Sequence, residues 1–119
     1  MAIKTSLTFV ARAVSRAVAA AASAQNLTTD DFILSGSFDE DSEHISLLLY
    51  LTGGRGVDEK RLYVDTFTAI RRAFPRDPQI SMYVGLVIRK VSSRDEYDLY
   101  QPSIGAADET DITYLLERP

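Results

Sequence analysis

The chain has 119 residues, 45% of them hydrophobic and 25% charged, with a formal net charge of −4. That length fits one domain spanning 1–119 with a core of its own. The absence of cysteine excludes disulfides, thiolate nucleophiles and cysteine-based zinc or iron–sulfur sites, and a single histidine, His44, excludes a multi-histidine metal site within one chain. A net-acidic balance argues against nucleic acid as a partner, because phosphate contacts need clustered cations. A cysteine-free chain fits a reducing cytoplasm.

The charge is uneven. Residues 1–29 carry Lys4, Arg12 and Arg16 and no acid, and all seventeen Asp and Glu lie from Asp30 onward. A basic, Ala- and Ser-rich start has the composition of a targeting segment, and Ala22-Ser23-Ala24 resembles a small-residue cleavage site. Arg12 and Arg16 interrupt the apolar run that secretion requires, and no 18-residue apolar stretch is present to span a membrane. The periodicity points instead to a structural helix over 1–26. Ile3, Leu7, Val10, Val14, Ala17 and Ala21 recur three or four residues apart, a stripe close to a heptad seam. Its first half is Leu, Phe and Val, and its second half is alanine. Alanine favours the helix and lets another backbone approach closely, but it brings little burial of its own at roughly 25 cal/mol per Å². Such a helix needs a close partner, either the chain's own sheet or a second copy, and Val14, Ala17 and Ala21 are its candidate interface positions.

Asn26 suits the left-handed position that ends a helix. Phe32, Leu34, Gly36 and Phe38 alternate with Ile33, Ser35 and Ser37, which predicts a strand. Asp39 to Glu43 reads as an acidic turn. Ile45 to Thr52 is a second strand, apolar on both faces from Leu47 to Leu51 and so expected to be central. The two strands should form an antiparallel hairpin. Asp58 is the expected N-cap of a helix reaching about Phe74, with Tyr63, Phe67, Ile70 and Phe74 as its apolar stripe. Pro75 and Pro78 stop it. Gln79 to Val91 alternates as a long strand. Tyr97 to Gln101 reads as a fourth strand hairpinned to it, 103–111 as a flexible acidic linker, and Ile112 to Leu116 as a short apolar strand or tail.

The expected fold is therefore α+β, in the order α-β-β-α-β-β, with a mainly antiparallel sheet and two helices on one face. The other face would carry Ser35, Ser37, Ser81, Tyr83 and Arg89, towards solvent or a partner.

Gly53, Gly54, Arg55 and Gly56 form the candidate ligand-binding segment. They lie between a strand and a helix N-terminus, where free N–H groups and the helix dipole favour anions, and Arg55 adds a charged fork. The segment lacks the Gly-Lys-Ser/Thr ending of a Walker A loop, has the wrong spacing for a dinucleotide fingerprint, and is not expected inside a βαβ unit. It matches a G-x-x-G loop literally, but that loop joins two helices, and Asp58 and Glu59 would repel phosphate. The plainer reading is a turn that needs glycine's freedom. The acids at 39–43 lack the later glycine and glutamate of a calcium loop, which leaves a solvated hairpin turn. His44 has acids and Ser42 nearby in sequence, which is not triad geometry. Arg71, Arg72, Arg76, Arg89, Lys90 and Arg94 could form a basic patch, although Asp77, Asp95 and Glu96 interleave with them.

Neither a catalytic constellation nor a metal or cofactor set stands out. The sequence points to a small non-enzymatic protein-interaction or oligomerisation module in the cytoplasm, its partner a protein and possibly a second copy of itself, with no membrane partner. The features behind this are the alanine seam, the aromatic positions Tyr97, Tyr100 and Tyr114, and the tail with Leu115, which could add to its own sheet or to a partner's edge. The alternative is a small-anion or nucleotide-binding domain using Gly53 to Gly56.

Overall fold

The computed structural model describes residues 3, 6–52, 56–90 and 109–116. Within them the chain is α+β, in the order α1 (Leu7–Ser23), β1 (Phe32–Asp39), β2 (His44–Leu51), α2 (Glu59–Ala73), a 3-10 turn (Pro78–Tyr83), β3 (Val84–Lys90), β4 (Glu109–Asp111) and the single-turn α3 (Thr113–Leu116).

The periodicity of α1 puts Val10, Val14, Val18, Ala11 and Ala22 on its fully buried face. The helix ends in a Schellman motif. Asn26 takes the left-handed conformation at φ 62, its N–H bonds Ser23 O, and the Leu27 N–H reaches back to Ala22 O at 3.0 Å. Leu27, the apolar residue that usually accompanies this motif, is buried. In α2, Asp58 is the N-cap, its carboxylate accepting the Arg61 N–H at 3.0 Å.

β1 and β2 form the expected antiparallel hairpin, in register from Phe32↔Leu51 to Asp39↔His44. At its turn the Asp39 carboxylate accepts the Asp41 N–H, and Glu43 adopts φ 54. The strict register sends Phe38, Ile45, Leu47, Leu49 and Leu51 to one face, where they share a core with Val14 and Val18 of α1, Leu62, Phe67 and Ile70 of α2, and Val84 and Leu86 of β3. Both long helices therefore cover one face of the sheet.

The sheet departs from expectation in its mixture. Its strand order is β3-β2-β1-β4, with β1 antiparallel to both neighbours but β2 and β3 parallel, Ile45↔Val84 through Leu51↔Lys90. The reason is the helical connection between them. A crossover through α2 is long enough to return the chain to the starting end of the sheet, which parallel pairing requires and a hairpin turn cannot do.

The long strand expected from Gln79 is shorter for a local reason. Pro78 opens a 3-10 turn, and the Ser81 hydroxyl bonds back to Pro78 O at 3.0 Å. Alternation fails there, since Ile80 is buried while Met82 is 79% exposed. Ser81 and Tyr83 accordingly lie off the sheet. Of the residues expected on the sheet's second face, Arg89 is exposed but Ser35 and Ser37 are buried. Tyr50, also buried, packs there with Ile33 and Leu48.

At the C-terminal end, Glu109 to Asp111, read from sequence as linker, pairs with β1 as Ser37↔Asp111 through Asp39↔Glu109. The apolar run beyond it is a turn of helix, not a strand, because the Asp111 carboxylate accepts the Thr113 N–H at 2.9 Å and starts α3. The fourth strand expected at Tyr97 to Gln101 lies outside the described residues.

Candidate functional site

α1 and α2 lie side by side, and the solvent-facing side of their seam is lined mainly by alanines, with Thr68 on α2. Ala13, Ala17, Ala20 and Ala24 follow one another three or four residues apart on α1 and its C-terminal cap, and Ala69 and Ala73 face them from α2. Side chains this small form no ridge between the helices, so the seam is a trough open to solvent. It consists of two adjoining depressions of ≈ 360 and ≈ 380 Å³ that share Ala20 and Ala69.

The trough's ends and rims are chemically distinct. Phe9 stands at one end, its ring edge-on to buried Phe74 at 5.8 Å between centroids, yet 58% exposed. Arg16 flanks the trough on α1, and Arg72 and Asp65 flank it on α2. Asp65 is engaged by Arg61 one turn earlier at 3.6 Å. Neither Arg16 nor Arg72 makes an ion pair among the described residues.

The positions singled out from sequence divide clearly. Val14 is wholly inside the core, whereas Ala17 and Ala21 are buried but line the trough. Tyr114 is exposed and Leu115 half-buried on α3, while Tyr97 and Tyr100 lie outside the described residues. The C-terminal run pairs at home. The Ile112 N–H bonds Gly36 O at 3.0 Å, the Gly36 N–H bonds the Thr113 hydroxyl at 3.2 Å, and the Ser15 hydroxyl donates to Leu116 O at 2.6 Å. Glycine at position 36 lets this contact close without displacement, since a Cβ there would come within 2.9 Å of Leu116 Cδ1.

Of the glycine-rich segment, Gly53, Gly54 and Arg55 lie outside the described residues, and Gly56 is exposed. Contrary to the expectation from sequence, the segment does lie within a βαβ unit, because β2, α2 and parallel β3 form one. The adjoining helix start is already supplied with a carboxylate. Asp58 caps the first turn, and Gln25 fixes Asp58 by two backbone bonds, Nε2 to Asp58 O and Asp58 N–H to Oε1, both 3.0 Å. This clamp joins residues 33 apart in sequence, and no local pattern announces it.

His44 sits beside Ser46, with Nδ1 3.4 Å from the hydroxyl, and its ring lies against Gly85. Among the described residues no carboxylate hydrogen-bonds the ring to complete a catalytic relay. The basic residues do not converge either. Arg71, Arg72 and Arg76 lie at the end of α2, whereas Arg89 and Lys90 close β3. Because α2 returns the chain between parallel strands, those two places are at opposite ends of the sheet. Arg94 lies outside the described residues.

Against protein-family models, curated proteins and solved structures alike, the chain has no significant match. No helix among the described residues is long and apolar enough to cross a membrane.

Proposed function

We propose that the chain is a small non-enzymatic module that binds protein through the α1/α2 face, and that it acts in the cytoplasm, as its cysteine-free composition suggests. The observation carrying this reading is the solvent-open alanine trough, with the Phe9 ring exposed at one end and, on its two rims, Arg16 and Arg72, which make no ion pair among the described residues. Elongated apolar surface bordered by charge is the usual make-up of a helix-docking groove. Catalysis is the weaker reading because, among the described residues, the His44 ring has Ser46 as a polar contact and no carboxylate to orient it.

Anion binding at Gly53 to Gly56 draws support from the βαβ topology, where ligands commonly meet a helix start. It is disfavoured by the Asp58 carboxylate, which takes the Arg61 N–H and places negative charge where an anion would bind. The test of the leading reading fills the trough. Ala20→Trp, on an exposed position shared by both depressions, should leave the circular dichroism and Tm of the chain nearly unchanged but remove proteins that co-purify with the tagged wild type. An unchanged set of co-purifying proteins would refute it.

A further inference from the structure

We infer that the occupant of the α1/α2 trough is one acidic, amphipathic helix of another protein, laid lengthwise with its apolar stripe on the alanine floor. The inference rests on the reading of this face as a protein-binding surface and adds the chemistry of the partner.

Shape comes first. The trough runs along α1 from Phe9 to Ala24, which at 1.5 Å per residue is about 22 Å, or some four helical turns. A small molecule is held by a pocket that surrounds it, whereas this surface is long, shallow and open on one side. A third helix matches its length. The alanine floor, with Ala13, Ala17 and Ala20 on one side and Ala69 and Ala73 on the other, would let that helix approach to within about 8 Å between axes, the close end of the usual range. Phe9, exposed at the end of the trough, supplies an aromatic contact at its limit.

Charge then selects the partner. α1 carries Arg12 and Arg16 and no acid. Arg16 and Arg72 stand on opposite rims without ion pairs among the described residues, and the one rim carboxylate, Asp65, is already engaged by Arg61. A docked helix with carboxylates along both flanks would meet a guanidinium on each side. A second copy is a poor match, because a two-fold interface sets the same face against itself and brings another Arg16 and Arg72 to the rims. Nucleic acid is a poor match too, since two arginines beside an apolar floor are too few for a phosphate backbone.

The test uses the full chain, isotope-labelled, and three synthetic helical peptides of about 18 residues, long enough for the trough at 1.5 Å per residue. They share one Leu/Ala stripe and differ only in Glu, Gln or Lys on their flanks. The Glu peptide should bind at least about tenfold more tightly than the Lys peptide at low salt, an advantage that shrinks as salt screens the rims. Amide shifts should fall on residues 9–24 and 65–73. The double variant Arg16→Glu/Arg72→Glu, both substitutions on the surface, should reverse the order of Glu and Lys peptides while leaving the Gln peptide within about twofold. Equal binding of Glu and Gln peptides, no binding by any, or shifts elsewhere on the chain would overturn the inference. So would tighter binding of a DNA duplex or of phosphatidylserine vesicles. Self-association that Ala20→Trp abolishes would instead make the trough a contact between copies. If the peptides fail while Ala20→Trp still removes co-purifying proteins, only the partner chemistry is wrong. If Ala20→Trp removes nothing, the docking surface itself is wrong.

Discussion

Replacing Gly36 by alanine tests how the C-terminal segment is held. The added methyl would lie 2.9 Å from Leu116 Cδ1, 3.1 Å from Leu47 Cδ2 and 3.3 Å from Ser46 O. The first of these atoms ends a side chain on a one-turn helix and can yield. Leu47 is buried beneath the helices, and Ser46 O is backbone in the central hairpin, so both yield less readily. Over-packing of this kind costs roughly 1–3 kcal/mol, offset by about 0.4–1 kcal/mol because alanine stiffens the unfolded chain. The net expectation is a loss of roughly 1–2 kcal/mol, or about 4–8 °C in Tm for a chain of this length. Urea and thermal unfolding of the purified variant measure it. Leu116→Ala alone should cost about 2 kcal/mol, the low end for a buried leucine because α3 is short. Combined with Gly36→Ala it should cost at least about 0.5 kcal/mol less than the sum, since the colliding methyl is gone. A Gly36→Ala variant as stable as wild type, or strictly additive energies, would refute the docking of α3 over β1.

Asp58→Ala should lower stability by about 1 kcal/mol through the lost N-cap, and Gln25→Ala should lower it independently, because Gln25 bonds the Asp58 backbone and not its carboxylate. Additive losses in urea midpoints support this division, and a silent Asp58→Ala contradicts it. Asn26→Gly should be near neutral, whereas Asn26→Ala should lose roughly 1 kcal/mol at the left-handed position; equal stability of the two in thermal melts would contradict the Schellman ending. Titration with inorganic phosphate should leave the amide signals of residues 56–61 in place, because the Asp58 carboxylate already caps that turn. Saturable shifts there would favour the anion-binding reading.

Much of the fold is legible in single-element patterns. The α1 stripe, the β1–β2 alternation, the Asp58 cap and the Asn26 ending are all local signals, and each element forms where its signal lies. What was not legible depends on pairing between distant segments. The apolar character of both faces of Leu47 to Leu51 marks β2 as central, but it carries no information on the direction of its far neighbour, which the crossover through α2 makes parallel. Pro78 is a helix stop in the sequence pattern, and it equally starts the 3-10 turn that shortens the next strand. The candidate surface was half visible. The alanine run on α1 announces a close partner, expected to be the sheet or a second copy, and along the trough it is Ala69 and Ala73 of α2 that face it. Arg16 and Arg72, 56 residues apart on two helices, flank the same trough, and local periodicity carries no trace of that.

The most direct test of the α1/α2 face as a working surface is site-specific photo-crosslinking in cells. A benzophenone amino acid replaces Ala20 in the trough in one variant, and exposed Ser42 on the β1–β2 turn in the control. The expected result is a discrete protein adduct from position 20 that is absent from position 42. No adduct from position 20, or the same adducts from both, would contradict it.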